Sequence, residues 1–489
     1  MAKGKENGVP RQPKVYHALI TFAILIGVMA VGIIKYGVDV HVPMFIGVIA
    51  AACMALFLGF DWSFIEKSMM DGIYNALQAV IILAIVGILI GVWVVGGIVP
   101  AMIFYGLKVL SPSAFLVAAL FICSITSLAT GTAWGTMGTM GLALMGIAVG
   151  LGIPAPMAAG AIISGAYFGD KMSPLSDTTN LAPAMAGTDV MTHVKFMLMP
   201  TAIAYGLSIV VFAVMGIHYA SSGQAADMSA VEEMSNGLAS QFTINPVLLL
   251  PPLIVVLAVA LKIPAIPGIT LGIITGGIIG MIFQGETASF GVLLDAGMNG
   301  YTSESGIEAI DNLLSTGGIN NMMYSISLTI IAMMFGGIME RTGLLAVLVN
   351  KILRIAKRPA TLVMTTELTC IVSNATMPEQ YISIVVPGRM YAESYQKMGL
   401  HAKTLSNALE SSGTVTSALI PWNTCGVYIL ATLGVSTFEY FPYAIFNLAM
   451  PIVVAILAVA GYTIADQDGY RMTKRAQKKK AADAAAGRL

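Results

Sequence analysis

Charged residues are scarce in this sequence: Asp, Glu, Lys and Arg make up 10% of its 489 residues, whereas about 25% is usual for a soluble domain. A chain this poor in charge cannot cover a water-facing surface, which excludes a soluble globular protein. Apolar runs that are long enough to cross about 30 Å of hydrocarbon recur instead. Examples lie at 17–35, 42–60, 73–99, 196–218, 246–261, 267–284 and 441–464. The sequence therefore predicts an all-α, polytopic membrane protein.

Cysteine and histidine are also few, and their positions carry no catalytic or metal-binding pattern. The four cysteines lie in apolar surroundings without paired spacing, which is typical of packing residues. The five histidines form no HExxH motif, and no nucleophile–base pair or cofactor fingerprint is present. The net charge is zero, without a basic region in the folded part of the chain. We therefore expect no enzyme activity, no cofactor and no nucleic-acid partner.

The basic residues that are present cluster at the two ends of the chain. Four Lys or Arg residues lie within 1–14 and six within 471–480. Because Lys and Arg beside membrane spans mark the cytoplasmic side, both termini are predicted to be cytoplasmic. From 219 to 261 there is no Lys or Arg, which predicts an extracytoplasmic loop in the middle of the chain. Each half then crosses the membrane an odd number of times.

Three short matches relate the two halves at a separation of 246 or 247 residues. They are "GVWVVGGI" (91–98) with "GIMERTGL" (337–344), "SLAT" (127–130) with "SNAT" (373–376), and Pro174 with Pro421. The nearly constant separation indicates two repeats, and the odd number of crossings makes them inverted. Inverted repeats with discontinuous helices are common in secondary transporters, whose sites lie near the bilayer midplane.

The predicted organisation has five parts and about 10–14 membrane segments, some of them broken or re-entrant. The parts are a cytoplasmic tail (1–14), transmembrane repeat 1 (15–218), an extracytoplasmic linker (219–243), transmembrane repeat 2 (244–464) and a basic cytoplasmic tail (465–489).

Polar residues interrupt the apolar sequence at four places. These are "SLATGTAWGTMGTMG" (127–141), "GAYFGDKMSPLSDTTNLAP" (165–183), "SNATMPEQYIS" (373–383) and "NALESSGTVTSALIPWNTCG" (407–426). Irregular backbone at membrane depth is tolerated only around a protein-lined or wet cavity. Broken helices there would offer carbonyl and hydroxyl oxygens to Na⁺, and free N–H groups to an anion.

Four carboxylates lie in these stretches, namely Asp170, Asp177, Glu379 and Glu410, and we expect Lys171 to be an internal counter-charge to Asp170. An ionised carboxyl inside a membrane costs at least a few kcal/mol, so each is predicted to be paired, cation-bound or protonated. A carboxyl that exchanges a proton for a cation is the basis of coupled transport. Two alternatives stay open. In the first alternative, Asp170 and Lys171 form a solvated surface loop. In the second, Asp177 belongs to the capped start of a helix.

The stretch "FGDKMSPLSDTTNLAP" (168–183), together with "GTAWGTMGT" (131–139), closely resembles the NhaC-type Na⁺/H⁺ antiporter family, and the resemblance covers most of 15–465. It implies inverted repeats, broken helices and exchange of Na⁺ for H⁺ across a bacterial cytoplasmic membrane. It also implies a site in the motif, with Na⁺ bound through Asp170, Asp177 and Thr178. The motif's site residues are Asp170, Ser173, Ser176, Asp177, Thr178, Thr179 and Asn180.

Further candidates come from the other polar stretches and from internal symmetry. They are Ser127, Thr130, Ser373, Asn374, Thr376, Glu379, Glu410, Ser411, Ser412, Asn423 and Thr424. For Ser127 and Thr130, the alternative is a hydrogen bond back to their own helix.

The predicted function is a Na⁺/H⁺ antiporter that works by alternating access in contact with membrane lipids, and the prediction allows a homodimer. The alternative is Na⁺- or H⁺-coupled exchange of a small organic anion, of the malate/lactate type, or of an amino acid. Backbone N–H groups at the broken helices near 373–376, 411–414 and 421–426 would bind its carboxylate. A channel is less favoured, since inverted repeats suit a rocking carrier.

Overall fold

The computed structural model describes residues 10–221, 228–261 and 263–485, and over these residues it contains helices but no β-strand. The α-helices, in chain order, are α1 (Val15–Ala30), α2 (His41–Phe57), α3 (Trp62–Val95), α4 (Ile98–Val109), α5 (Pro112–Thr130), α6 (Ala133–Thr136), α7 (Leu142–Gly150), α8 (Ala155–Met172), α9 (Asp177–Ala186), α10 (Val190–Ser221), α11 (Met228–Gln241), α12 (Leu250–Ala260), α13 (Ala265–Gln284), α14 (Phe290–Asn299), α15 (Glu308–Leu314), α16 (Gly318–Arg341), α17 (Leu344–Leu353), α18 (Pro359–Thr376), α19 (Ile382–Lys397), α20 (Ala402–Leu409), α21 (Thr424–Leu433), α22 (Thr437–Tyr440), α23 (Ile445–Val459) and α24 (Lys474–Ala485).

Shorter segments of tighter or wider helix join these elements. Three are π-helical, Val31–Lys35, Met137–Gly141 and Glu410–Thr414, and four are 3₁₀-helical, Pro246–Leu249, Gly285–Ala288, Ser417–Leu419 and Phe441–Tyr443. π-helical turns inside α-helices are rare, and those that occur often lie at functional sites. Two of the three lie within the polar stretches noted in the sequence.

The prediction of an all-α polytopic membrane protein is confirmed. Among the described residues, seven helices are long and apolar enough to cross a membrane, or up to nine if each of two bent helix pairs is one span. With the four shorter apolar helices α2, α4, α17 and α21 included, the number falls within the predicted range. The spans α5, the α6–α7 segment and α16 are not among the example runs, and they carry Ser, Thr, Asn and Gly residues among their apolar ones.

Helix α8, which carries the central motif, packs tightly against α5. Gly165 and Gly169 lie one turn apart on α8, and a Cβ atom on them would collide with the backbone carbonyl oxygens of Leu120 and Ser124. Small residues four apart allow two helix backbones to approach this closely in a membrane. The contact fixes the end of α8, where Asp170 lies.

The order of elements repeats at the separation seen in the sequence. α4 and α17 begin 246 residues apart, at Ile98 and Leu344, and each follows a glycine with a left-handed backbone. The pairs α5 and α18, α8 and α20, and α9 and α21 begin 247 residues apart. This recurrence supports two repeats. Their inverted orientation and the cytoplasmic location of both termini stay predictions.

The predicted domain boundaries also stay predictions. Helix α11 lies within the segment predicted as a linker, and α24 lies within the basic C-terminal tail. Most of the predicted N-terminal tail, residues 1–9, lies outside the described residues, as do 222–227 of the linker and 486–489 at the C-terminus.

Candidate ion-binding site

The polar stretches of the sequence fall at breaks between helices. In the first half, α8 and α9 are separated by 173–176, while α5 and α6 are separated by 131–132, where Gly131 has a φ of 71°. In the second half, α18 and α19 are separated by 377–381, and α20 continues into the π-helical segment 410–414. The predicted discontinuous helices are therefore present.

The break between α8 and α9 is closed by its own side chains. The Ser173 hydroxyl accepts a hydrogen bond from the backbone N–H two residues later (3.2 Å). The Asn180 amide donates to the Pro174 carbonyl oxygen (2.9 Å), and the Thr179 hydroxyl donates to the carbonyl oxygen of Asp170 (3.0 Å). Three of the predicted site residues, Ser173, Thr179 and Asn180, thus fix the shape of the break.

A cavity of about 140 Å³ lies where the breaks meet. Three carboxylates line it, Asp170, Asp177 and Glu379, and no Lys, Arg or His is among the described residues that line it. The other polar contributions come from α3, from the α5–α6 break, from the start of α9 and from the α18–α19 break. These residues are Asn75, Gln78, Thr132, Ser176, Thr178, Gln380 and Tyr381. The cavity therefore has an acidic lining, which is suited to a cation.

The two aspartates of the motif differ in exposure. The Asp170 side chain is buried, with 6% of its surface exposed, whereas Asp177 is exposed in the first turn of α9. Between them, the Ser176 hydroxyl accepts a hydrogen bond from the Thr179 backbone N–H (3.4 Å) and caps α9. Asp177 therefore does lie at the capped start of a helix, but Ser176 provides the cap. The Asp177 residue remains part of the cavity lining.

An aromatic pair forms another part of the wall. The rings of Trp134 and Tyr428 are stacked with centroids 4.3 Å apart, and the Tyr428 hydroxyl donates to the Trp134 carbonyl oxygen (2.8 Å). Both residues line the cavity. The pair joins the α5–α6 break of the first half to α21 of the second half, so the cavity is built from both predicted repeats.

The expected ion pair between Lys171 and Asp170 is not among the ion pairs of the described residues. Neighbouring residues on a helix point about 100° apart, so their side chains do not face each other. The Lys171 ammonium instead donates to the Ser411 hydroxyl (3.0 Å). The carboxyls of Glu410 and Glu367 are the charged groups that act on it.

Glu410 lies beside the cavity rather than in its lining. Its side chain is fully buried, and its Oε1 atom accepts a hydrogen bond from the Thr178 hydroxyl (3.2 Å). The Thr178 hydroxyl lies 3.1 Å from that of Ser176. A chain of hydrogen-bonding groups thus leads from the cavity lining through Thr178 to Glu410.

The predicted amides of the second half hold its breaks together. The Asn374 amide donates to the Gly413 carbonyl oxygen (2.8 Å) and to the Thr416 hydroxyl (3.1 Å). The Asn423 amide donates to the Asn374 carbonyl oxygen (3.1 Å), and Asn423 caps α21 by accepting from the Cys425 backbone N–H (3.0 Å). These two residues therefore join α18, the π-helical segment and α21.

The remaining predicted hydroxyls bond mainly to backbone. Ser412 and Thr376 donate to carbonyl oxygens four residues earlier, and Thr424 lies 3.5 Å from the Asn423 side-chain oxygen. Ser373 is buried, and its hydroxyl has no hydrogen-bond partner within the described part of the chain.

In α5, the Ser127 hydroxyl donates to the Ala166 carbonyl oxygen on α8 (2.6 Å). The alternative of a bond back to its own helix is therefore not what the structure has. The Thr130 hydroxyl is buried, and over residues 10–221, 228–261 and 263–485 it has no hydrogen-bond partner.

Several cavity residues were not predicted from the sequence. Asn75 and Gln78 interrupt the apolar run of α3, and this interruption is the signal that could have identified them. Gln380 and Tyr381 lie next to the predicted Glu379. The buried carboxyl of Glu367 on α18 was also missed, although a lone Glu in an apolar helix is itself a signal.

The cavity's donor set suits an alkali cation better than a transition metal. No group of three or more His, Cys, Asp or Glu side chains that could hold one metal ion occurs in the parts of the chain that the structure describes. Carboxylate and hydroxyl side chains line the cavity instead, and oxygen ligands are those that hard cations take.

Comparison with known proteins decides the family. The model of the Na⁺/H⁺ antiporter family matches residues 165–462, which is more than half of the chain and includes the α8–α9 break. The chain belongs to the Na⁺/H⁺ antiporter family. The resemblance carried by 168–183 is thereby confirmed, and the antiporter family's matched region extends to the breaks of the second half.

Three curated relatives are similar to this antiporter-family chain over nearly its whole length. The Na⁺/H⁺ antiporter NhaC of Alkalihalophilus pseudofirmus is 36% identical over 91% of this chain and 95% of its own. The malate-2H⁺/Na⁺-lactate antiporter of Bacillus subtilis is 35% identical over 93% and 95%. The arginine/ornithine antiporter ArcD of Halobacterium salinarum is 34% identical over 94% of each chain. All three are named as antiporters, and their names state different cargoes.

Proposed function

We propose that this chain is a Na⁺/H⁺ antiporter of the NhaC type, with its ion site in the cavity at the α8–α9 break. The observation that carries the proposal is the lining of that cavity, which has three carboxylates and, within the part of the chain that the structure describes, no basic side chain. Such a lining attracts a cation. The helix breaks also supply oxygen atoms that can bind the cation.

In the proposed mechanism, Asp170, Asp177 and Thr178 provide oxygen ligands to Na⁺. An ionised carboxyl at this depth costs at least a few kcal/mol when it is uncompensated, so the empty site binds either the cation or a proton. The two ions therefore replace each other, and movement of one predicted repeat against the other exposes the site to each side in turn. Exchange follows because the carrier returns with the other ion bound.

A second candidate is exchange of a small amino acid. The cavity also offers the amides of Asn75, Gln78 and Gln380, and the stacked pair of Trp134 and Tyr428, which are groups suited to an organic solute. The acidic lining favours a cargo with an amino group over malate or lactate, because an anion there would meet three carboxylates. A cationic amino acid is therefore the better alternative.

Transport by the purified protein in liposomes tests both candidates. With an imposed pH gradient and an internal pH dye, addition of Na⁺ is expected to move protons and dequench the dye. No response to Na⁺, Li⁺ or K⁺ overturns the cation proposal. Uptake of labelled arginine, ornithine, malate and lactate into the same vesicles distinguishes the second candidate, and uptake limited to the two amino acids would favour it.

A further inference from the structure

Glu367 on α18 is a buried carboxyl that lies outside the cavity. Only 4% of its side chain is exposed, and its Oε1 atom has no hydrogen-bond partner among the described residues. Burying a charged group is costly unless the group is paired and hydrogen-bonded. Packing between apolar helices does not require such a residue, so the carboxyl needs a separate explanation.

Titratable and charged groups from several helices act on Glu367. Lys171 of α8 is its charged neighbour, and the same ammonium acts on Glu410 of the π-helical segment. His193 of α10 is a further titratable neighbour of Lys171. The neutral titratable groups around it are Cys370 of α18 and, on α19, Tyr395 with the adjoining Tyr391.

The charges of this cluster do not balance when both carboxyls are ionised. One ammonium, that of Lys171, can neutralise one of the two carboxyls. Glu410 receives a hydrogen bond from the Thr178 hydroxyl as well, so its ionised form is the better supported of the two. Glu367 is therefore the group that needs an additional positive charge.

The surroundings of Glu367 favour a proton over a metal cation. The nearby hydroxyls of Thr366 and Tyr395 are 3.0 Å apart and bond to each other, and Thr366 also donates to the Leu362 carbonyl oxygen (2.8 Å). These oxygens are already engaged, whereas an alkali cation needs several free oxygen ligands at once. A proton needs only the carboxyl itself.

We propose that Glu367 binds and releases a second proton during the transport cycle, at a site separate from the cavity. This inference rests on the proposed Na⁺/H⁺ exchange. Only one O–H bond forms and breaks: the proton leaves the carboxyl for water, and the carboxylate that remains is stabilised by Lys171.

Lys171 provides the coupling to the cavity, because it follows Asp170 directly at the end of α8. A cation that binds beside Asp170 raises the electrostatic potential at Lys171 and at Glu367, because charges interact strongly in a medium of low dielectric constant. The ionised form of Glu367 is then favoured and its proton leaves. Departure of the cation reverses the effect, so the two sites are occupied in opposite senses.

His193 offers a connection towards the surface. It lies one turn into α10, and its Nδ1 atom is 2.9 Å from the Ser406 hydroxyl. Its Nε2 atom has no hydrogen-bond partner in the described ranges of the chain. Asp189, immediately before α10, is exposed. Protons are thus expected to reach the cluster from the end of the protein where α10 begins.

The test is the number of protons exchanged per Na⁺, measured in liposomes from the gradients at which net flux stops. The wild type is expected to exchange at least two protons per Na⁺, and Glu367→Gln one fewer. The half-saturating Na⁺ concentration should change by less than about twofold, since the variant leaves the cavity intact. Glu340→Gln is the matched control, because it makes the same change at an exposed carboxylate in the last turn of α16.

A wild-type ratio below two, or an equal ratio in Glu367→Gln, overturns the proposal. If Glu367→Gln fails to insert, Glu367→Met fills a similar volume without a buried polar group, and it is expected to show the same lowered ratio. If the wild type moves no protons with Na⁺, the proposed function fails. Infrared difference spectra between acidic and alkaline buffer then decide about Glu367 alone: a protonated-carboxyl band absent from Glu367→Gln supports proton binding, and an unchanged band overturns it.

Discussion

The helix breaks before α9 and before α21 occupy equivalent places in the two predicted repeats, and each is capped by a polar side chain, Ser176 in the first and Asn423 in the second. The residue after the cap differs. It is Asp177 in the first half and Thr424 in the second, 247 residues later. The first break presents a carboxylate to a cavity, while the second has side chains that bond to one another. Similar local geometry thus supports ion chemistry in one half and internal bracing in the other.

The helices that precede the two breaks show the same contrast. α8 carries Gly165 and Gly169 against α5, whereas the equivalent positions in the second half hold Ser412 and Thr416, whose hydroxyls bond to carbonyl oxygens four residues earlier (2.6 Å each). The first half gains close helix contact, and the second gains internal hydrogen bonds in a π-helical turn. The helix that precedes the aspartate-bearing break is therefore held by backbone packing.

The largest effect is expected from Asp177→Asn, which removes a carboxylate from the cavity without changing its shape. Na⁺-dependent proton movement should fall by at least about 100-fold, equivalent to about 2.8 kcal/mol, because a neutral amide cannot balance the cation. Thr424→Val at the equivalent position of the other half should retain most activity. Both are measured in liposomes, after gel filtration shows that each variant is folded. Full coupling in Asp177→Asn would move the site elsewhere.

A smaller effect is expected from Gly169→Ala. The added methyl group would meet the Ser124 carbonyl oxygen and the Leu128 backbone, and such overpacking costs about 1–3 kcal/mol. The thermal unfolding midpoint in detergent should fall, whereas Thr416→Ala at the equivalent position should lower it less. Equal midpoints for the wild type and Gly169→Ala would show that α5 and α8 do not approach as closely as described.

Asn423→Ala is expected to affect stability more than transport. It removes the cap of α21 and the bond to Asn374, and loss of a cap costs about 1 kcal/mol. The half-saturating Na⁺ concentration should change by less than about threefold, because the side chain is not in the cavity lining. A selective loss of Na⁺ affinity at unchanged thermal stability would give the second half a direct role in binding.

The smallest effect is expected at the caps of α10 and α22, the helices that follow α9 and α21. The hydrogen bonds from Thr192 lower the pKa of Asp189 below its ordinary value. A depressed carboxyl pKa stabilises the fold above the ordinary value, and this contribution is lost as the pH falls through the lowered pKa. Asp189→Ala should therefore lower the unfolding midpoint slightly at neutral pH and not in acid.

Ser436 provides the neutral comparison, because it caps α22 at the equivalent position and its hydroxyl does not titrate. The effect of Ser436→Ala should be the same at both pH values. A pH-independent effect of Asp189→Ala would contradict the assignment of its carboxylate as the cap.

Parts of the candidate site were accessible from the sequence because they are local. Asp170, Ser176, Asp177 and Thr178 form one short polar segment in an apolar chain, and the structure places all four in the cavity lining. Ser173 and its polar neighbours in the motif could not be separated from them, since the sequence does not show which hydroxyl turns inward. Their individual functions stay predictions.

Other parts depend on contacts between distant segments. Asn75 and Gln78 enter the cavity because α3 lies against the breaks, and no local pattern specifies that contact. Glu367 was overlooked because its meaning depends on Lys171, which lies almost two hundred residues earlier in the chain. Helices pack in an order that hydropathy does not encode, so these relationships required the tertiary structure.

The sequence by itself determined the membrane class, the positions of the helix breaks and the antiporter family, because scarcity of charge, polar interruptions and an extended motif are all properties of contiguous residues. Only the tertiary structure decided which charges meet. Lys171 is next to Asp170 in the sequence, yet helix geometry turns it away by about 100° and towards Ser411, 240 residues further on. The physical reason is that side-chain direction follows the helix, while side-chain partners follow the packing of helices.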